Sequence, residues 1–253
     1  VLVEQKRVQM TDIIFTKTFN VPDEYTPKPA DKYVPDWYKN LESYIGGDKK
    51  PSGDGQTTAT VKRCMPVFDA VTGGYIIPTY TDIFITQKQI FDSNTNEPSG
   101  RTLPWYEWPS FNPLGFHPIQ QAPTYPERKN LPEEGQYPKW HSPWGIKTPP
   151  GYSVLFVQPF HRESPFTILP GIVDTDTYTA PVNFPFVLND WKFEGLIPAG
   201  TPMAQVIPFK RESWQMSVGE QLDLEEQTKI TIKLRTKFFD SYKTQYRQTK
   251  EYK

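Results

Sequence analysis

The stretch that decides the fold runs from Thr148 to Trp214: TPPGYSVLFVQPF opens it, ILPGIVDTDTYTAPVNFPFVLN follows, and FEGLIPAGTPMAQVIPFKRESW closes it. Three short apolar runs separated by Pro/Gly corners are how a compact antiparallel β module is written, because proline and glycine interrupt pairing and turn the chain. The core is therefore expected from Tyr152–Val157, Val182–Leu188 and Met203–Phe209. A fourth strand is read at Lys229–Arg235, where Ile230, Ile232 and Leu234 alternate with charges.

Working outward, Asp12–Phe19 alternates in part and reads as a first strand. Lys32–Tyr44 reads as a short amphipathic helix, with Pro35 in its first turn and Trp37, Tyr38, Leu41 and Tyr44 on one face. Thr57–Phe91 reads as β on both sides of the corner Thr72-Gly73-Gly74, with Cys64 inside a strand as a small buried hydrophobe. Residues 94–150 hold twelve of the 27 prolines, together with Trp105, Trp108, Trp140 and Trp144. They read as a long rigid loop, either wrapping the β core or presenting a stiff recognition surface, with Trp105, Trp108 and Trp144 as interface candidates. The tail after 236 places Phe238, Phe239, Tyr242 and Tyr246 on one helical face. The regions are thus 1–93, 94–150, 151–236 and 237–253, within one compact domain. The fold class is mainly β: a jelly-roll-like antiparallel sandwich with long Pro/Trp-rich loops, one short N-terminal helix and a C-terminal helix.

The 253 residues carry a formal charge of −1 and a pI near 6.4, so nothing drives the chain electrostatically toward nucleic acid. A lone cysteine rules out an intramolecular disulfide and fits a reducing compartment. No apolar run approaches the ~20 residues of a membrane span. The N-terminal VLVEQKRVQMTDIIF has no secretory apolar core, and Met10 suits a native start. The expected location is the cytoplasm of a host cell or a virion.

GIVDTDTYTAPVNFPFVLN (171–189) resembles the uracil-binding hairpin of the deoxyuridine triphosphatase and deoxycytidine deaminase superfamily. LIPAGTPMAQVIPF resembles that superfamily's strand with a Gly corner followed by Ala-Gln. The resemblance implies a β-clip fold and trimers. It implies that Asp174 stands where the family's Asp activates water, that Tyr178 stands where its Tyr packs on the deoxyribose, and that Gln205 matches its glutamine. The whole chain also resembles a family of marine bacteriophage and bacterial proteins through PDWYK, KWHSPWGIKTPPGYS and IPAGTPMAQVIPFKRESW, a likeness that brings no activity with it. Departures from the superfamily weigh heavily. Thr179-Ala180 replaces its glycine, its Ser-bearing phosphate motif has no counterpart, and no glycine follows Gly219 to form a closing arm. Without those backbone donors a triphosphate has little to hold it.

Other chemistry is sparse. His161 with Asp174 and Asp176 would make a two-carboxylate, one-histidine metal site if the strands converged, but Asp in a tight turn more often bonds its own backbone. Arg162, Lys210 and Arg211 could gather around an anion. No cofactor motif and no catalytic elbow is present. The expected function is a non-catalytic binding or structural protein, phage-associated, presenting the Pro/Trp surface to a phage protein or to copies of itself. The alternative is an enzyme or sensor for a nucleotide or small polar ligand, with Asp174, Asp176, Tyr178, Gln205, His161 and Arg162 as ligand-binding residues.

Overall fold

The computed structural model describes residues 11–47, 58–109, 112–118, 121, 136–220, 223–236 and 242–253. The chain is mainly β. In order its strands are β1 (Ile14–Lys17), β2 (Lys28–Pro29), β3 (Tyr75–Pro78), β4 (Ile83–Phe91), β5 (Pro98–Glu107), β6 (Leu114–Pro118) and β7 (Gln136–Trp140). There follow β8 (Trp144–Lys147), β9 (Tyr152–Val157), β10 (Phe166–Ile168), β11 (Gly171–Val173), β12 (Phe184–Leu188), β13 (Gly195–Ile197) and β14 (Pro202–Lys210). The α-helices among the described residues are α1 (Asp36–Asn40), α2 (Met65–Thr72) and α3 (Leu224–Thr236).

Two compact units are formed. The first comprises Val1–Pro27, Ile76–Pro159 and Glu163–Arg211. Its sheets are β1-β8, β10-β12-β7-β6, β13-β4-β5 and the series β11-β9-β14-β3. Burial follows the period of two where one face is wet: Ile83 and Ile85 of β4 are buried while Phe84 and Thr86 between and after them are exposed. In β14, Met203 to Val206 are all buried, so this strand is covered on both faces, as its near-continuous apolar run requires. The core is aromatic. Trp140 stacks on Phe186 at 5.6 Å between centroids, Phe166 closes on Phe186 at 5.4 Å, and Phe156 meets Phe184 at 5.2 Å. Three of the four expected core segments are therefore β9, β12 and β14.

The second unit comprises Lys28–Tyr75, Phe160–Arg162 and Glu212–Lys253. Here Asp69 of α2 takes Arg247 at 2.7 Å and Lys250 at 2.9 Å, while Tyr252 stands edge-on to Tyr75 at 5.8 Å. The tail after 241 makes a π-helical turn, Tyr242–Tyr246, whose two tyrosines stack as their spacing suggests. Phe238 and Phe239 lie outside the described residues.

Five expectations are corrected. Lys229–Arg235 is helix, not strand. Asp223 accepts the Glu225 amide at 2.8 Å, Glu225 and Glu226 fill the first turn, and Lys229 pairs with Glu225 four residues back. These local signals outweigh an alternation that has no neighbouring strand to satisfy it. Residues 65–72 are likewise helical. Pro66 sits where a helix loses nothing by lacking an N–H, and Cys64, just before it, is exposed and not a core residue. The Pro/Trp segment is not a long loop, since β5, β6, β7 and β8 all arise from it; Pro98 and Pro118 stand at strand ends and Pro104 on the edge strand β5, while Pro138 lies within the inner strand β7. The run 75–91 is broken at Thr79–Asp82, where Thr79 and Asp82 bond the 198–201 corner instead of a neighbouring strand. The helix expected over 32–44 is one α-helical turn. It is anchored by buried Tyr38 and ends at Leu41, whose backbone is already extended.

Candidate functional site

The chain between β11 and β12 turns immediately after Val173. Asp174 accepts, through its carbonyl, the amides of Thr177 at 3.1 Å and Tyr178 at 2.8 Å, so the turn is closed by its own backbone. Beneath it, Thr175 is wholly buried and its hydroxyl meets that of Thr148 at 2.7 Å. This pins the turn to the chain entering β9 and leaves the side chains of Asp174 and Asp176 directed at the start of that strand.

Both carboxylates are met there. Ser153 donates to Asp174 at 2.6 Å, and the Gly151 amide donates to Asp176 at 2.8 Å. Arg211, one residue past β14, supplies the cation. Its Nη1 lies 2.9 Å from Asp176 Oδ1 and 3.2 Å from Asp174 Oδ1, and its Nη2 closes on Asp176 Oδ2. The same guanidinium donates to the Tyr152 carbonyl and the Ser153 hydroxyl, and its backbone amide bonds Gly151. Such a bidentate fork is the strong form of an Arg–carboxylate pair. Hydrogen bonds from Arg211, aided by the Gly151 amide, hold the Asp176 carboxyl down at about 2. Asp176 raises the Arg211 pKa in turn.

Of the residues singled out in the sequence, this arrangement unites Asp174, Asp176 and Tyr178, the last half exposed on the same turn. Gln205 is wholly buried within β14 and offers nothing to a surface ligand. His161 and Arg162 belong to the other unit. There the Trp37 indole donates to the His161 carbonyl at 2.8 Å. Among the described residues no group of three or more His, Cys, Asp or Glu could hold a metal ion, so His161, Asp174 and Asp176 do not converge. Trp105 of β5 is exposed, with Lys88 over its ring at 3.5 Å and Glu107 accepting its indole N–H. Trp108 is half-buried, and Trp144 is buried in its own unit, leaving it no surface to offer a partner.

Two features were missed. Arg211 was grouped with anion-binding residues, yet its charge is spent on the two aspartates. The segment 212–220, whose Trp214 closes the stretch read as the β module, has every residue exposed and none in helix or strand. Its Trp214, Met216 and Val218 are 87%, 84% and 90% exposed. Apolar residues at every second position just after a strand were the available signal.

No protein-family model matches the sequence, and no curated protein matches it. Among solved structures, a mutant dUTPase from phage phi11 of S. aureus is similar over 45% of this chain and 99% of its own, with 14% identity and a TM-score of 0.24. No helix among the described residues is long and apolar enough to cross a membrane.

Proposed function

We propose that this chain is a non-catalytic structural or binding protein, phage-associated, that assembles with copies of itself through an exposed apolar arm. The carrying observation is the segment 212–220, whose Trp214, Met216 and Val218 leave nearly all their surface in water. Contiguous exposed apolar surface on this scale marks an interaction site. A second copy is the fitting occupant because the chain itself offers open sheet edges, β5 and β13, to which an arm with alternating apolar side chains adds as a further strand. Phe84, Leu196 and Trp105 share one exposed face of that same sheet. The superfamily resemblance adds a preference for three copies. The test is solution mass by light scattering, with Trp214, Met216 and Val218 replaced together by Ser. The expected result is a multimeric wild type and a monomeric variant that melts at or above the temperature of the wild-type monomer. A monomeric wild type, or a variant that still assembles, would remove this reading.

The second reading, a nucleotide pocket, is favoured by Tyr178 standing exposed beside Asp174. Against it, Ser153 and Arg211 occupy the carboxylate that would have to activate water. Incubation with each deoxynucleoside triphosphate and magnesium is expected to release no pyrophosphate. Turnover that disappears in Asp174→Asn would reinstate the enzyme.

A further inference from the structure

We infer that Arg162 forms the core of a binding site for a compact oxyanion, a phosphate or a carboxylate group. Arg162 belongs to the second unit, and among the described residues its Nε and Nη2 are both buried and without a hydrogen-bond partner. These two nitrogens lie on the same edge of the guanidinium. Their N–H groups run parallel, at the spacing that matches two oxygens of one carboxylate or phosphate. A guanidinium does not deprotonate in proteins, so its charge stays when its water is removed. An orphaned charge-bearing donor pair is among the costliest things a fold can bury, and its retention calls for a compensating acceptor.

The surroundings are built and not incidental. His161, immediately before it, holds φ at 54°, a left-handed conformation uncommon for a residue with a Cβ. The Trp37 indole N–H fixes the His161 carbonyl at 2.8 Å, so the backbone feeding Arg162 inward is tied from outside. Trp37 and Tyr33 come from adjacent turns, the 3-10 turn Ala30–Tyr33 and helix α1. Tyr33 is the titratable group whose charge is felt by Arg162. Burial pulls the guanidinium down to about 10, and burial pushes the Tyr33 phenol up while the Arg162 charge opposes it. Among the described residues no carboxylate forms an ion pair with Arg162.

The experiment uses the full chain. Melting temperature and titration calorimetry are followed with inorganic phosphate and with acetate, each against chloride at equal ionic strength and pH. The expected result is saturable one-to-one stabilisation by phosphate or acetate beyond chloride; the more effective anion identifies the natural group. Arg162→Gln should abolish it. Arg162→Lys, which keeps the charge but loses the two-point edge, should weaken it by about tenfold or more. If neither anion gives saturable stabilisation, or if it survives in Arg162→Gln, the site does not exist. Should Arg162→Gln fail to fold, Arg162→Lys decides: weakened binding sustains the site, and unchanged binding overturns it.

Discussion

Arg211 stands one residue beyond β14, where its backbone amide still pairs with Gly151 while its side chain reaches both aspartates of the neighbouring turn. The carboxylates were legible in the sequence, because Asp174-Thr175-Asp176 sits at a turn between two strands. Their partner was not, since Arg211 lies 35 residues from Asp176 and only the pairing of β14 with β9 brings it there. The consequence is a defined acid response. Asp176 is held at about 2 when folded, below its ordinary 3.8. A depressed carboxylate contributes stability that is fully present above the unfolded value and disappears as pH falls through the folded one. Urea unfolding followed from pH 7 to pH 2 should therefore show stability falling from near pH 4 down to about 2. Asp176→Asn should flatten that part of the profile and lower stability at pH 7. An unchanged acid limb would mean that Arg211 and Asp176 do not interact in solution. Arg211→Gln should reproduce the neutral-pH loss, because it strands the same two carboxylates.

At the scale of elements, α2 and α3 show why strand and helix were confused. Both contain short runs of apolar residues whose spacing fits either structure, and a run of seven or eight residues does not separate the two periods. Local chemistry decided the outcome in each. Pro66 opens α2, and Asp223 caps α3 with two acidic residues behind it. Asp223→Ala should therefore cost about 1 kcal/mol of helix stability, read as lost ellipticity in the far ultraviolet. At the end of α2 a glycine is required for space: a Cβ on Gly73 would lie 2.7 Å from the Asp69 carbonyl oxygen. Gly73→Ala should destabilise by about 1–3 kcal/mol, the usual cost of forcing an atom into filled space. No loss of melting temperature would show that the corner can shift. The Pro/Trp segment taught the converse. Its prolines argued for loop, but edge strands and strand termini accommodate a residue without an N–H, and Pro98, Pro104 and Pro118 are placed there.

Over the whole molecule, the β character and three core strands were legible because apolar runs between Pro/Gly corners have few other uses. The aromatic cluster that unites them was not, because Trp140 comes from the supposed loop and meets Phe166 and Phe186 only after β7 pairs with β12. Phe186 touches most of that cluster and is wholly buried, so Phe186→Ala should cost about 3–5 kcal/mol, measured by chemical unfolding. Assembly is a different matter, for it depends on what the fold leaves outside. The formal charge is only −1, so like copies repel one another weakly near neutral pH. The arm carries Trp214, Met216 and Val218 into water, and Glu212 and Glu220 are the acidic residues within 212–220. Association through ion pairs would weaken in 1 M salt, where the screening length falls to about 3 Å. Association through apolar burial would not, and sulfate should strengthen it by being excluded from the surface. Light scattering in 0.05 M chloride, 1 M chloride and 0.5 M sulfate should then give a mass that holds or rises along the series. Dissociation on adding chloride would mean that charged contacts hold the copies together and that the arm is not the seam.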